Sequence, residues 1–323
     1  MSNEPIKSDK DMVKALLRHR MKYQDVRKAA DNQLGRKADG KLQDLEFKRG
    51  FRKEDEEMLN ALSDTNKLME KEIEKKLEKV LKRFPIYQWL KKQKGVGVIA
   101  SAWIIGHFDI HKATTVSKMW MFAGLNPGMV CGKKSVKKSD YKKSMGEIVG
   151  ELTFLADGEE RYSVKTDTMV RGDKLTPGFL CPFNRKLRTA LVGVLADGFI
   201  KAKAPYTSHY YSYKERQANS DYITNENKKG GKIAEIAWKD CTKGHRDRAA
   251  KRKMIKEFLK DLHIAWRGFE GLPVRHPYAE EYLGKVHKKA AQGKEKTKDC
   301  ERANGAEKTI FVERATMHKK TRR

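Results

Sequence analysis

Apolar residues recur at three- and four-residue steps over residues 51–84, with Glu and Lys between them. The positions that repeat are Leu59, Leu62, Met69, Ile73, Leu77, Val80, Leu81 and Phe84. This period is typical of one apolar face on an α-helix, and Pro85 predicts where the helix ends. The pattern leaves two arrangements open. One is an amphipathic helix that packs on its own domain, and the other is a coiled-coil arm at 51–85 that pairs with a second copy of the chain.

The regions on either side of this arm differ in apolar content. Residues 1–50 are polar, with one short apolar helical stretch at 12–17, so we expect a polar N-terminal segment there. Residues 86–127 are the richest in apolar residues and predict several short helices separated by glycines. Two longer helices are predicted over about 183–203 and 247–267. Their apolar faces hold Leu187, Leu191, Val194, Leu195 and Phe199, and then Met254, Ile255, Phe258, Leu259, Leu262 and Trp266.

The best strand signal lies within residues 148–170. Alternating segments flank Asp157–Gly158, a dipeptide suited to the positive φ angles of a tight hairpin turn. We therefore expect a β-hairpin insert at 146–178, preceded by a lysine-rich connector at 128–145, and a polar loop near 219–232. The predicted fold is mainly α, with one domain at 86–283 that carries this insert.

Charge changes the functional picture. The 323 residues contain 71 Lys and Arg against 43 Asp and Glu, a formal net charge of +28. Such an excess favours a polyanionic partner, because each cation set against a phosphate releases condensed counterions. A lysine-rich protein that is merely soluble is the alternative. The segment 284–323 is expected to be a basic tail, disordered on its own, since residues 285–323 hold 13 Lys and Arg against 5 Asp and Glu.

Membrane insertion and secretion are not expected. No apolar run approaches the roughly 18 residues that span a bilayer, and the first residues lack the apolar region of a signal peptide. We expect a cytoplasmic protein, of a prokaryotic nucleoid or a phage-infected cell. The four cysteines form no CxxC pair and are expected to be reduced. Cys241 and His245 have a spacing that could give two zinc ligands, but a buried thiol and a phosphate-facing imidazole fit better, because no second pair completes a zinc site.

The stretch from Lys94 to Gly97 is the first candidate for DNA contact. Gly95 and Gly97 allow a sharp turn and a close backbone approach between two helices, and lysines precede the turn. This is the arrangement of a helix–hairpin–helix, which holds the DNA backbone without reading its sequence. A turn between helices that binds nothing is the alternative.

The second candidate is the glycine- and proline-containing turn at 124–127 and the segment that follows it. Cys131 precedes a run of lysines that includes Lys133, Lys134, Lys137 and Lys138, with Asp140 as the single acidic residue. Surrounding cations would favour the thiolate and make Cys131 a candidate nucleophile. A plain loop thiol beside a DNA-contacting lysine patch is the interpretation that we favour.

Several blocks occur in an order that resembles a known family. They are GVGVIASAWIIG, MFAGLNP with CGKK, NRKLRTAL and HRDRAAKRKMIKEFLKDLHIAWR, and together they span about residues 86–270. They are similar to the C-terminal domain of the DEDD-type insertion-sequence transposases of the Piv/MooV-like group. The N-terminal RuvC-like nuclease domain of that family, whose four acidic residues hold magnesium, has no counterpart in residues 1–84.

The resemblance implies a DNA-binding, transposase-like protein of DNA transposition or site-specific recombination. The family's nucleophilic serine falls near Cys131, and Ser135 is the nearest hydroxyl. The scissile phosphate would be held by Lys133, Lys134, Arg185, Lys186 and Arg188, and further nucleic-acid contacts are expected from Lys94, Gly95, Gly97, Lys137, Lys138, Arg246 and Arg248. No metal site or cofactor is expected in this chain, and Mg²⁺ would enter only with a RuvC-like partner. A guide RNA is a further possible partner.

Two functions of other classes stay open. One is a non-enzymatic DNA- or RNA-binding protein, built on the same domain and made a homo-oligomer through residues 51–84. The other is a structural protein of the ribosome or nucleoid that binds through its tail.

Overall fold

The computed structural model describes residues 4–36, 52–153, 159–227 and 233–275. Most of these residues are helical and the remainder include a small antiparallel sheet, so the predicted mainly-α class is confirmed. The predicted tail at 284–323 lies outside the described residues. Within the described ranges, no helix combines the length and the apolar character that crossing a membrane requires.

The first two helices, α1 (Glu4–Gln33) and α2 (Lys53–Leu81), lie antiparallel to each other. Apolar side chains of both join the core, including Leu17 of α1 and Leu77 of α2. Glu70 of α2 pairs with Arg20 and Arg27 of α1, at 3.2 and 2.6 Å. The predicted helix over 51–84 is thus confirmed, and it packs on its own chain.

The predicted polar N-terminal segment contains a helix that is longer than the short apolar stretch expected at 12–17. Residues 4–33 form a helix of 30 residues. Its apolar stripe is narrow, because much of its contact with α2 uses ion pairs rather than apolar side chains. A hydrophobic period is therefore a weak signal for this helix.

Three short helices follow, as the glycine breaks predict: α3 (Ile86–Lys92), α4 (Val98–His107) and α5 (Val116–Phe122). Their buried residues include Leu90, Ile104 and Met119, which belong to the main core cluster. The same cluster contains Phe258 and Leu262 from the last helix. That helix is the central element of the core.

The sheet contains three antiparallel strands in the order β1-β3-β2, with β1 (Met129–Lys137), β2 (Ile148–Thr153) and β3 (Glu160–Arg171). The predicted pairing of the two strands around Asp157–Gly158 is observed between β2 and β3, while that dipeptide lies outside the described residues. The lysine-rich connector predicted at 128–145 was wrong, because its first part is strand β1. As an edge strand with mostly exposed lysines, β1 has little apolar alternation that would identify it.

The chain then continues through α6 (Arg185–Arg188), a π-helical segment at Thr189–Leu195 and α7 (Ala196–Lys201). The Asn184 side chain begins this helix by accepting a hydrogen bond from the Leu187 N–H at 3.0 Å. These elements confirm the predicted helix over 183–203. Helix α8 (Thr207–Ala218) comes next.

A second, two-stranded sheet pairs β4 (Ile223–Asn227) with β5 (Ile233–Ala237). The prediction of a polar loop at 219–232 was therefore wrong for β4. The sequence of this strand, ITNEN, is mostly polar, so it lacks the alternation of apolar and polar residues that identifies a strand. Helix α9 (Lys243–Phe269) ends the described fold and confirms the helix predicted over 247–267.

Candidate nucleic-acid interface

Helix α9 has two different faces. One face carries the apolar side chains of the core, such as Met254, Phe258 and Leu262. The other face carries basic residues at three- and four-residue steps, namely His245, Arg248, Arg252, Lys253 and Lys256. Since such steps place residues on one side of a helix, these cations form a continuous row. The burial of one face therefore directs the other toward a common space.

That space is a groove of about 810 Å³, which we call the cationic groove. Besides the row on α9, its lining comes from the turn after α5, the end of β3, α6, α8 and the β4–β5 hairpin. The lining residues are Leu125, Pro127, Arg171, Asp173, Lys174, Arg188, Tyr213, Ile223, Thr224, Asn225, Glu235, Trp238, His245, Arg248, Ala249, Arg252, Lys253 and Lys256. Seven are Arg or Lys and two are acidic, so the groove attracts anions.

Three cations of the groove are partly withdrawn from water. Arg188, Arg252 and Lys256 are each only partly exposed. Burial lowers the pKa of all three side chains. The next largest effect on the pKa of Arg252 is the positive charge of Arg188, which lowers it further. The charges of Lys253 and Arg252 lower the pKa of Lys256 in the same way. Like charges are thus held near one another in a place where water screens them poorly.

Asp173 supplies the main negative charge near Arg188, Arg252 and Lys256. Its carboxylate accepts hydrogen bonds from Arg171 Nε at 3.0 Å and Nη2 at 3.1 Å. Its field also favours the charged forms of Arg188, Arg252 and Lys256. One carboxylate shared among four cations leaves most of their charge uncompensated.

Arg188 is fixed in place by the turn at 124–127. Gly124 has φ +66°, and a Cβ there would lie 2.5 Å from the Phe183 ring, so only glycine allows the two to pack. The guanidinium of Arg188 lies over the Phe183 ring, 4.9 Å from its centre. Its Nη1 donates to the Asp173 carbonyl at 2.6 Å. The turn thus positions a groove cation through an aromatic ring.

The β4–β5 hairpin is attached to the start of α9 by Glu226. This buried carboxylate accepts hydrogen bonds from the Thr242 N–H, at 3.1 Å to Oε2, and from the Thr242 hydroxyl. The hydrogen bond from the Thr242 hydroxyl keeps the pKa of Glu226 below its usual value. Trp238 follows β5, and its ring lies 5.2 Å from that of His245. The hairpin therefore brings an aromatic side chain to the cationic row.

His245 is the one histidine of the groove lining. Burial lowers its pKa, Glu226 opposes this effect, and Arg252, Arg248 and Lys174 add to it. The expectation of a buried thiol at Cys241 is confirmed, because this residue is 4% exposed. Among the described residues, no three His, Cys, Asp or Glu side chains form a group that could hold a metal ion.

Of the sequence-predicted nucleic-acid contacts, Arg188 and Arg248 line the groove. Arg185 and Lys186 are exposed on the same short helix as Arg188, outside the lining. Arg246 donates to the Lys239 carbonyl at 3.0 Å. Two of the ten predicted cations therefore line the groove, together with cations that the sequence did not single out.

The lysines of β1 have partners of their own. Lys137 pairs with Glu159 at 2.6 Å and Lys138 with Glu160 at 2.7 Å. Asp140 is the single acidic residue within the lysine run itself, but β3 and the residue before it supply two acidic partners from outside the run. Lys134 lies over the Phe179 ring, and Lys133 is exposed.

The predicted helix–hairpin–helix residues lie between α3 and α4. Lys94 is exposed, and Gly97 precedes the first residue of α4. Gly95 has φ +92° and packs against Gly198 of α7. The close approach that this glycine permits is made to the protein's own backbone, and a DNA contact at this turn stays a prediction.

The two candidate nucleophiles both lie on β1, outside the groove lining. Cys131 is exposed, with its Sγ 3.9 Å from Met169 Sδ. The Ser135 hydroxyl is buried and has no hydrogen-bond partner among the described residues. It adjoins a second cavity of about 590 Å³ that Lys134, Lys137 and Arg161 also line. Among the described residues, no hydrogen bond joins either side chain to a group that could act as a base.

The sequence prediction missed most of the groove, including Arg171, Lys174, Arg252, Lys253 and Lys256. The cationic steps from 245 to 256 in α9 were a usable signal, since they alternate with the apolar face. Comparison of the chain with family models, with curated proteins and with solved structures gave no match.

Proposed function

We propose that the protein binds DNA through the cationic groove. The observation that carries this proposal is the cluster of Arg188, Arg252 and Lys256, three partly buried cations that share one nearby carboxylate. Holding like charges together in poorly screened surroundings opposes folding, and a bound phosphate chain would relieve it. We therefore attribute the clustering of these cations to the binding of a phosphate chain.

The length of the cationic row suits a nucleic-acid backbone. From His245 to Lys256 helix α9 advances about 16 Å, at about 1.5 Å per residue. Successive nucleotides of one DNA strand rise about 3.4 Å each, so several phosphates can face the row. Contacts of this kind position a backbone and carry no sequence information.

The resemblance to transposase C-terminal domains adds support. Three of the blocks that carry it contribute to the groove. The block MFAGLNP supplies Leu125 and Pro127, the block NRKLRTAL supplies Arg188, and the block that begins at His245 supplies the cationic row on α9. We therefore propose a transposase-like DNA-binding domain. The exposed Cys131 and the half-buried Ser135 lie outside the groove lining, so the geometry supports DNA binding better than strand cleavage.

The test removes two charges from the groove. We expect Arg252→Gln with Lys256→Gln to weaken binding of a labelled 24-base-pair duplex about 10-fold or more at 0.15 M salt. The slope of log K against log salt should fall by about two, one for each lost phosphate contact. Fluorescence anisotropy measures both quantities.

The matched control is Lys67→Gln with Lys71→Gln on the exposed side of α2, which removes the same charge far along the chain from the groove. It should change the affinity less than two-fold. An equal loss in the two double variants would show that net charge alone attracts DNA and would overturn the proposal.

A further inference from the structure

We infer that the cationic groove takes an unpaired DNA strand, with its phosphates along α9 and a base stacked on Trp238. This inference rests on the proposed function and deepens it. It depends on a feature that duplex binding does not require, namely the aromatic side chains that line the groove.

Three aromatic side chains lie among the groove cations: Tyr213, Trp238 and His245. The rings of Trp238 and His245 are 5.2 Å apart at an interplanar angle of 43°, so they do not stack flat on each other. Tyr213 lines the groove together with Arg252, near enough to affect the pKa of the guanidinium. A cationic track beside aromatic faces is the combination by which proteins hold single strands.

Trp238 is held by its backbone and leaves its ring available. Its N–H donates to the Tyr222 carbonyl at 3.0 Å, and its carbonyl accepts from the Cys241 N–H at 3.2 Å. The indole ring is only partly buried, and its N–H has no acceptor among the described residues. The Trp120 indole N–H, in contrast, donates to the Lys256 carbonyl at 3.2 Å.

The availability of base faces also favours a single strand. A volume of about 810 Å³ lies in the range of pockets that enclose a single small ligand. A few nucleotides of one strand fit in that space. In a duplex each base is already stacked between its neighbours, so its face is not free to meet an indole ring.

The experiment compares a labelled dT12 oligonucleotide with a 12-base-pair duplex by fluorescence anisotropy at one salt concentration. We expect wild type to prefer dT12, and Trp238→Ala to lower the ratio of single-strand to duplex affinity about 10-fold. Trp238→Phe, which keeps an aromatic face, should restore most of that ratio. Trp103→Ala is the control, because Trp103 stacks on His107 in α4 and lies outside the groove lining.

A second readout does not depend on affinity. Saturating dT12 should quench tryptophan emission of the wild type, and this quenching should be much smaller in Trp238→Phe. An unchanged ratio in Trp238→Ala, or unchanged quenching in Trp238→Phe, would overturn the inference. Binding of U12 without binding of dT12 would overturn it too, since the inferred ligand is DNA. These failures leave the proposed function intact, which fails only if the Arg252 and Lys256 double variant binds DNA as its control does.

Discussion

The backbones of Gly95 and Gly198 are in contact. A Cβ on Gly95 would lie 3.0 Å from the Gly198 carbonyl oxygen, and a Cβ on Gly198 would lie 3.1 Å from the Gly95 carbonyl oxygen. The turn between α3 and α4 is thereby seated on α7, and α7 continues the helix that holds Arg188. The contact between these two glycines, which are distant in sequence, thus packs the α3–α4 turn against the helix that carries Arg188 to the groove.

We expect Gly95→Ala to lower the free energy of unfolding by about 1–3 kcal/mol, because the new methyl group meets backbone and the residue has φ +92°. Urea denaturation followed by circular dichroism measures this loss. Gly97→Ala is the control, since no atom lies within 4 Å of a Cβ there and its φ is −93°. Equal losses in both variants would contradict the importance of the contact between the two glycines.

The elements that the sequence predicts well are those with one wide apolar face. Helix α9 and the helix from Arg185 to Lys201 fulfil this condition. Helix α1 and strands β1 and β4 do not, because ion pairs and exposed edges replace apolar burial in them. A pattern of hydrophobic residues does not reveal elements of this kind.

The groove is harder to predict for a different reason. Its residues lie between positions 125 and 256 and come together only through the packing of α9 against the short helices. Arg188, Arg248 and Lys256 belong to basic blocks that the sequence shows, whereas Arg171 and Lys174 lie outside those blocks and reach the groove only through the fold. The partner of Lys137, Glu159, comes from beyond the next strand, so charge counted along the sequence gave β1 too much importance.

Replacing Glu70 should also lower the stability of the protein. It is 6% exposed and its carboxylate forms ion pairs with Arg20 and Arg27 across the α1–α2 pair. We expect Glu70→Ala to lower the free energy of unfolding by about 3 kcal/mol, because two partly buried guanidinium groups lose their carboxylate. The urea midpoint measures the loss. Glu72→Ala should leave the midpoint nearly unchanged, since its pairing with Lys75 is exposed to solvent, and an equal effect would contradict the role of Glu70.

We expect DNA binding to depend on pH because the His245 imidazole lines the groove. Burial and neighbouring cations lower its pKa, so the imidazole is neutral at pH 7.5 in the free protein. A phosphate nearby favours the protonated form and raises the pKa, so affinity should rise as pH falls below about 6.5. We expect a gain of about two- to ten-fold between pH 7.5 and 5.5 beyond that of His245→Gln. Anisotropy titrations at fixed salt measure it.

The control for this pH dependence is His209→Gln on α8. Burial lowers the pKa of His209 as well, but this residue lies outside the groove lining. The His209 variant should keep the full gain at low pH. A gain that persists in His245→Gln would assign the dependence to another group.

Asp173 should affect stability and binding in opposite directions. Asp173→Asn removes the carboxylate shared by Arg171, Arg188, Arg252 and Lys256, so we expect the free energy of unfolding to fall by about 1 kcal/mol. The same change adds one positive charge to the groove. DNA affinity should therefore rise about two- to five-fold, with a steeper dependence on salt.

The control is Asp197→Asn, which removes the same charge from α7, where Asp197 pairs with Lys251 outside the groove lining. It should leave DNA affinity unchanged. Adding Arg252→Gln to Asp173→Asn removes one of the cations that the carboxylate had compensated, so the double variant should recover part of the lost stability. If Asp173→Asn weakens DNA binding while the protein stays folded, the carboxylate positions the cations rather than merely neutralising them. In that event the attraction between Asp173 and the neighbouring cations holds those cations in the positions that bind DNA.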